Sequence, residues 1–282
     1  MRIGRAAAAW LLAPALAMMA VLYVVPLAIY FVNSFHLFRD GRILPVWTLH
    51  TYIAFFSDPF HYKVIGASLR LALTVTALAI LTGYPLSYAL HTRVRNPSAR
   101  AAIALLLFSP LVVSVVVRTY GWFILLANQG LVNAALRWAG LITEPLALLF
   151  NQRGVVISLT HILMPFAIFP IYSVLGRLDA TLKEAAQDLG ADWWQSFVRI
   201  TLPLTMPGVV AAALICFTLA LSAFVTPQLL GGGRVQVLPS TVYNSTVEIN
   251  WPEGAVAGLT LLVLSVLAVW SLQSVLRRLP SA

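Results

Sequence analysis

The sequence predicts an all-α polytopic membrane protein with six transmembrane helices, and three observations support this fold class. Of its 282 residues 60% are hydrophobic and 10% are charged, whereas soluble domains carry about 25% charged residues. Apolar segments of the roughly 20 residues that a helix needs to cross a bilayer recur along the chain. Arginine and lysine residues are concentrated in alternate connections between these segments. The apolar surface is therefore expected to face lipid.

The apolar segments define the expected spans within one membrane domain, residues 1–282. We expect the spans at about residues 10–35, 65–90, 101–127, 154–176, 203–225 and 255–276. A polar loop at 179–203 precedes the fifth span, and the longer outer loops are 36–64, 128–153 and 226–254. A signal peptide is the alternative for the first segment, but its apolar residues continue to Val32, so we expect a membrane anchor.

The distribution of basic residues predicts the orientation in the membrane, because short loops rich in arginine and lysine stay in the cytoplasm. Ten basic residues lie near the two chain ends and in the second and fourth connections, against six in the other, longer connections. Both termini and the loop 179–203 are therefore expected in the cytoplasm. Anionic lipid headgroups account for most of the net charge of +9, so no nucleic acid partner is needed to explain it.

The loop 179–203 is predicted to form two short helices joined by a sharp bend. Thr181 and Glu184 have the spacing of a capping box at the start of the first helix. Gly190 can end that helix in a left-handed conformation, and Asp192 can cap the second helix. The two helices would present small alanines and apolar side chains to a partner protein. An ordinary helical hairpin, in which Glu184 is only a cap, is the alternative.

The spacing in this loop resembles the EAA loop of permease subunits of bacterial ATP-binding-cassette (ABC) importers. The resemblance implies that the loop, named the coupling loop (179–203) from here on, contacts a cytoplasmic ATPase dimer that binds the ATP. The matching positions are Glu184, Ala185, Ala186, Gly190, Ile200, Leu202 and Pro203.

Further segments resemble the first permease subunit of spermidine/putrescine-type importers over nearly the whole chain. They include RTYGW, HILMPFAIFPIY, FVTPQLLGGG and NWPEGA. The resemblance implies a type I importer permease fold in the bacterial inner membrane, with a second and often different permease subunit and an external substrate-binding protein. The implied function is to form half of the translocation path for a small organic cation such as spermidine or putrescine. Glu253 departs from the family pattern, which has a larger apolar or aromatic residue there.

Seven residues are candidates for the translocation path. A charge in the middle of a span costs at least about 2.5 kcal/mol, so Arg118 should either pair with carbonyls or a polar neighbour or line the substrate route. Aromatic faces and carboxylates would hold ammonium groups, although packing between helices and solvated loop charges are the ordinary alternatives. The candidates are Arg118, Tyr120, Trp122, His161, Glu248, Trp251 and Glu253.

The chain lacks the sequence patterns of an ATPase or a metal site. A phosphate-binding loop needs a lysine directly after a glycine, and neither Lys63 nor Lys183 follows one. Cys216 is the single cysteine, and the five histidines are scattered without ligand spacing. We therefore expect no cofactor, no metal and no catalytic residue in this chain, with ATP hydrolysed by a separate partner.

Other functional classes fit the sequence less well. A self-sufficient secondary transporter or channel needs acidic or histidine relays inside its spans, and the expected spans contain no Asp or Glu. A membrane enzyme would need a motif such as GxSxG or HExxH, and neither occurs. Within the importer class, opines, aminoalkylphosphonates, 4-aminobutyrate and ferric iron remain open as cargo, because similar permeases handle them. An unpaired arginine would repel a cation and favour an anionic or zwitterionic solute.

Overall fold

The described residues fold mainly into α-helices. The computed structural model describes residues 5–94 and 96–276, without the side chains of 5–11, 180, 183, 184, 275 and 276. A two-stranded hairpin, β1 (His36–Arg39) and β2 (Arg42–Trp47), lies between the first two helices. The helices are α1 (Arg5–Asn33), α2 (His50–Ser57), α3 (Pro59–Arg93), α4 (Pro97–Val112), α5 (Val115–Leu126), α6 (Leu131–Trp138), α7 (Gln152–Leu175), α8 (Ala180–Asp188), α9 (Trp193–Ser196), α10 (Leu202–Leu221), α11 (Val225–Gly231), α12 (Leu238–Val247) and α13 (Trp251–Leu276), with a π-turn at Phe197–Thr201 before α10.

The described chain is helical and apolar enough to cross a membrane several times, which confirms a polytopic membrane protein. Within the described ranges six stretches have the required length and hydropathy: Leu12–Asn33, Pro59–Arg93, Val115–Trp138, Gln152–Leu175, Trp193–Leu221 and Trp251–Ser274.

Contacts divide the chain into two compact units. The first comprises the described residues up to Lys63 with Thr241–Thr260, and the second comprises Val64–Ser240 with the described residues from Leu261.

The hairpin of the first unit is not among the elements expected from the sequence, where 36–64 is an outer loop. Its strands pair antiparallel around Asp40 and Gly41, which both have positive φ, 52° and 74°. An Asp-Gly pair between two apolar runs favours the type I′ turn that matches the twist of hairpin strands. The ring of Phe35 packs against Trp47 and Tyr52 at centroid distances of 5.8 and 5.4 Å. The Asp-Gly pair is the signal that predicts this hairpin.

The core of the second unit is formed chiefly by α3, α7 and α10. Buried aliphatic side chains of all three helices form one cluster around Ala167 and Cys216. The helices approach closely where glycine replaces a side chain. A Cβ atom on Gly208 of α10 would lie 2.9 Å from the Pro170 carbonyl oxygen of α7, and one on Gly83 of α3 would lie 3.1 Å from the Ala167 Cβ. Small residues at such positions let membrane helices pack tightly.

The expected third span, 101–127, is wrong as one continuous helix. The chain leaves the helical conformation between α4 and α5, where Val113 is extended and the Ser114 side chain caps α5 by accepting from Val116 N–H. Pro110 lies in the last turn of α4, and its missing N–H frees the Leu106 carbonyl. The Ser109 hydroxyl donates to that carbonyl at 2.9 Å. With 16 and 12 residues, neither helix alone has the length of about 20 residues for crossing. Helix α5 reaches that length only together with α6, in the stretch Val115–Trp138.

The connections 128–153 and 226–254, which are expected to be outer loops, contain helices. Helix α6 lies in the first of them, and α11 and α12 lie in the second. Gly232 ends α11 in the left-handed conformation, with φ 54°. A Cβ atom there would overlap the ring of Phe150, whose N–H donates to the Leu230 carbonyl at 2.8 Å. Leu230 itself is fully buried, so this glycine turn is packed into the second unit.

The close contact between α7 and α10 predicts the effect of one added methyl group. Gly208→Ala would place a Cβ atom against the Pro170 carbonyl, and overpacking of this kind costs about 1–3 kcal/mol. We expect a lower thermal unfolding temperature of the purified chain in detergent. Gly66→Ala is the control, since a Cβ atom at Gly66 in α3 meets no atom within 4 Å. Equal unfolding temperatures for the two variants would contradict the packing described for α7 and α10.

Candidate coupling site and translocation path

The coupling loop begins with α8, whose N-cap differs from the one expected. Asp179 has an extended backbone and caps the helix, so the capping box of Thr181 and Glu184 is wrong: the helix starts two residues earlier, and Thr181 lies inside it. The Thr181 N–H donates to Asp179 Oδ1 at 3.0 Å. This bond, with a second from the Thr181 side chain, lowers the pKa of the Asp179 carboxyl. The charged cap is therefore present at neutral pH and lost when acidification passes that pKa.

The bend after α8 has the conformation that the sequence predicts. Gly190 adopts a φ of 84°, and Asp192 caps α9 by accepting from Gln195 N–H at 2.6 Å. In this bend Leu189 is 89% exposed. Both Ala185 and Ala186 lie in α8 near the bend. The side chain of Glu184 lies outside the described residues, so its expected contact with an ATPase stays a prediction.

From α9 onward the helical backbone continues without interruption into α10. The connection is the π-turn Phe197–Thr201, in which the Leu202 N–H donates to the Phe197 carbonyl. Pro203 therefore lies within a continuous helix and not at the start of a separate one. In a regular α-helix its ring would clash with the carbonyl four residues before it, and we attribute the wider π-turn to this constraint. A displacement of α9 can thus pass directly to α10.

An aromatic cluster holds the π-turn against α3. The Phe197 ring stacks on Trp193, with centroids 5.6 Å apart and an interplanar angle of 10°. It also meets the edges of Tyr84 and Tyr88 at 5.9 and 5.3 Å. Tyr84 forms a 2.8 Å hydrogen bond with the Thr205 hydroxyl of α10. The two tyrosines are missing from the site expected from the sequence, and their signal is a spacing of four residues at the end of the second span.

The solvent-exposed surface of the coupling loop carries large apolar side chains. Trp193 and Trp194 are 52% and 62% exposed, although Trp193 also stacks on Phe197. Between this loop, α3 and the end of α7 lies a cavity of about 410 Å³, lined among others by Leu182 and Ile200. Ile200 and Leu202 are half-buried and Pro203 is exposed. A helical partner with an apolar groove could bind here.

Three of the candidate path residues lie together in the second unit. Trp122 Nε1 donates to His161 Nδ1 at 3.3 Å, and the two rings meet edge to face at 5.2 Å. Arg118 lies one turn before Trp122 on α5 and interacts electrostatically with His161. Its Nε and Nη1 atoms are buried without a hydrogen-bond partner among the described residues. Tyr120 is 55% exposed and lies on another side of α5.

The other three candidates, Glu248, Trp251 and Glu253, belong to the first unit. Glu248 and Trp251 are exposed. The Glu253 carboxylate instead accepts hydrogen bonds from the side chains of His61 and Asn250. The Glu253 side chain is therefore hydrogen-bonded within the protein. It is not the freely solvated loop charge that the sequence suggests as the alternative. Among the described residues no three His, Cys, Asp or Glu side chains are placed to hold a metal ion.

Comparison with protein families identifies a match over most of the chain. Residues 76–280 match the family described as binding-protein-dependent transport system inner membrane component. The spermidine/putrescine transport system permease protein PotB of Escherichia coli (strain K12) is 33% identical over 264 residues, 92% of this chain and 95% of the relative. PotB of Salmonella typhimurium (strain SL1344) is 34% identical over 92% of this chain and 91% of its own length.

Solved structures of low sequence identity share the fold. A bacterial ABC transporter involved in the import of the acidic polysaccharide alginate matches with a TM-score of 0.74 at 21% identity, over 97% of both chains. The bacterial alginate ABC transporter in complex with an alginate pentasaccharide-bound periplasmic protein matches with a TM-score of 0.73 at 20% identity, over 96% of this chain and 95% of that one. These matches confirm the fold class expected from the sequence.

The unpartnered atoms of Arg118 predict an unusual response to substitution. Arg118→Met keeps most of the aliphatic side chain and removes buried N–H groups that lack an acceptor within this chain. We expect the thermal unfolding temperature of the purified chain in detergent to rise or stay unchanged. Arg153→Met, an exposed substitution in the first turn of α7, is the control. A clear fall for Arg118→Met alone would show that Arg118 is paired within the chain.

Proposed function

Because this chain belongs to the family of binding-protein-dependent transport system inner membrane components, we propose that it forms half of the translocation path for a small organic cation such as spermidine or putrescine. The chain is a permease subunit of an ABC importer and a multi-pass protein of the inner membrane. It is a non-catalytic transport subunit, and ATP hydrolysis belongs to a separate ATPase subunit. The observation that supports the cargo is the 33% identity with a spermidine/putrescine permease over 92% of this chain.

We propose three kinds of protein partner for this subunit. A cytoplasmic ATPase dimer would bind the coupling loop, where Trp194 and Leu189 are exposed. A second permease subunit would complete the path, and an external binding protein would deliver the solute. A periplasmic protein bound to the structurally similar alginate transporter supports the last of these. No residue of this chain is proposed to bind ATP.

The proposed mechanism is alternating access driven from the coupling loop. Closure of the ATPase dimer on ATP would displace α8 and α9, and the continuous helix would transmit this displacement to α10. Since α10 packs against α7 at Gly208 and Pro170, α7 would move with it. His161 of α7 is bonded to Trp122 of α5, so the displacement would reach the candidate path. Hydrolysis of ATP would then reset the subunit.

The aromatic residues of α5 support a cationic cargo, whereas Arg118 does not. Trp122 and Tyr120 offer ring faces that attract ammonium groups. Arg118 would repel them if it faced the solute alone, so we propose that Arg118 pairs with an acceptor of the second permease subunit. The second candidate function follows from the same unpartnered guanidinium: import of a solute with an anionic group, such as an opine, an aminoalkylphosphonate or 4-aminobutyrate.

Transport by the reconstituted importer tests the cargo. Proteoliposomes would contain this chain, the second permease and the ATPase, with the binding protein outside and ATP inside. We expect uptake of radiolabelled spermidine or putrescine and none of 4-aminobutyrate, 2-aminoethylphosphonate or ferric iron. Uptake of 4-aminobutyrate or the phosphonate without polyamine uptake would favour the second candidate. Uptake without ATP, driven by an ion gradient, would contradict the importer mechanism.

The bend at Gly190 provides a test of coupling. Gly190→Val places a β-branched residue at a φ of 84°, which strains the backbone by about 1–2 kcal/mol and should displace α8 relative to α9. We expect the substrate-stimulated ATPase activity of the assembled complex to fall several-fold, with membrane insertion intact. Gly140→Val is the matched control, because Gly140 also has a positive φ, 70°, and both glycines have open surroundings. Equal ATPase activities would mean that the bend does not contribute to coupling.

A further inference from the structure

A small cavity of the first unit has no role in the proposed mechanism. It has a volume of about 280 Å³ and lies between α2, the start of α3 and the start of α13. Two carboxylates, two imidazoles, an amide and an aromatic ring contribute to its walls: Asp58, Glu253, His50, His61, Asn250 and Phe55. No lysine or arginine is among the described residues that line it. The cavity is therefore rich in acceptors and has acidic walls.

His61 is fixed between the two carboxylates. The residue is 8% exposed, and its ring stacks on Phe55 with centroids 3.9 Å apart. Its Nε2 atom lies 3.2 Å from Oε1 of Glu253. Because an ionised carboxylate only accepts hydrogen bonds, Nε2 must carry the hydrogen in this contact. In the neutral ring Nδ1 is then left with a lone pair.

The Nδ1 atom of His61 faces a second acceptor. It lies 3.8 Å from Oδ2 of Asp58, which is too far for a hydrogen bond. It is buried and has no hydrogen-bond partner in the part of the chain that the structure describes. Two acceptors at this separation can share one donor atom at an ordinary hydrogen-bond distance from each. Leaving the buried Nδ1 without a donor is unfavourable. Asp58 Oδ2, on a side chain that is 51% exposed, is accessible to the same donor.

Hydrogen bonds to the second oxygen atom of each carboxylate hold both groups in place. Asp58 Oδ1 accepts the Phe60 N–H at 2.8 Å, at the start of α3, which leaves Oδ2 directed toward His61. Glu253 Oε2 accepts from the Asn250 amide, and the Glu253 N–H donates to Asn250 Oδ1 at 3.4 Å. These bonds fix the acceptors before any ligand arrives, and preorganisation of this kind favours binding.

We propose that this cavity binds a primary ammonium group, with Asp58 Oδ2 and His61 Nδ1 accepting its N–H bonds. An ammonium group has three N–H donors and no acceptor, and its positive charge matches the acidic walls. Glu253 is a positioning residue that orients His61. An anion would be repelled by the carboxylates. A metal ion is not favoured, because no three ligand side chains of the described residues converge on one point. Phe55 offers an apolar wall for the carbon chain of an amine.

The identity of the ligand rests on the proposed function, since an imported polyamine is the source of the ammonium group. The cavity is formed by the first and fifth connections, 36–64 and 226–254. These are expected on the side of the membrane opposite the coupling loop, where the binding protein would release its solute. The cavity would then hold one end of the polyamine before it enters the path.

Competition binding to the unaltered complex tests the proposed chemistry. The importer, with both permeases and the ATPase but without the binding protein, is placed in lipid nanodiscs and equilibrated with radiolabelled putrescine. n-Butylammonium should displace putrescine. Tetramethylammonium has the same charge but no N–H donor, so it should compete at least about tenfold more weakly. Equal competition by the two cations would overturn the proposal, and this measurement requires no variant to fold.

A matched pair of substitutions locates the site. Asp58→Asn keeps the oxygen that caps α3 and removes the charge, and it should weaken putrescine binding at least about tenfold. Asp40→Asn is the control, because Asp40 lies in the hairpin turn of the same unit with a side chain that is 92% exposed. Equal affinities of the two variants would place the ammonium site elsewhere.

Different results would contradict the ammonium site in the cavity and the proposed polyamine import. If the unaltered importer takes up putrescine but Asp58→Asn binds it as tightly as Asp40→Asn does, the cavity proposal is wrong and the proposed function stands. If the importer takes up no polyamine while n-butylammonium binds in a manner that requires Asp58, the cavity proposal stands and the polyamine function falls.

Discussion

A single uninterrupted helix, Trp193–Leu221, joins the coupling loop to the core of the second unit. Because helical backbone bonds are satisfied within the segment, such a helix can pass from water into lipid without exposing polar groups. The π-turn before Pro203 lets it continue through a residue that would otherwise break or kink it. The aromatic cluster around Phe197 supports the turn from the side of α3. The proposed coupling therefore requires no hinge between α9 and α10.

Close helix packing extends this connection into the second unit. At Gly208 the absence of a side chain brings α10 against the Pro170 carbonyl of α7, and tightly packed helices shift as bodies more readily than they deform. The hydrogen bond between His161 and Trp122 continues the chain of contacts to α5. Arg118, on the same helix, keeps buried N–H groups without an acceptor among the described residues, which the proposed pairing with a second permease subunit would supply.

Sequence patterns predicted the features that depend on local chemistry. Length and hydropathy predicted a membrane protein of six spans, and short-range turn chemistry predicted the conformations of Gly190 and Asp192. Contacts between distant residues had no local signal. His61 and Glu253 are 192 positions apart in the sequence, so no local pattern predicts their hydrogen bond. Hydropathy does not register the break between α4 and α5. The hairpin turn at Asp40 did have a signal, which the apolar and aromatic character of 36–64 obscured.

Double electron–electron resonance on the assembled importer measures the distance between two spin labels, and it tests directly whether the connection between the coupling loop and the core is rigid. Spin labels at Gln195 of α9 and Leu219 of α10, in a Cys216→Ala background, would be about 36 Å apart at the 1.5 Å rise per residue of a helix. A continuous helix predicts one narrow distance distribution that is the same with and without ATP. A distance that broadens or changes on ATP binding would place a hinge at the π-turn and contradict the proposed transmission.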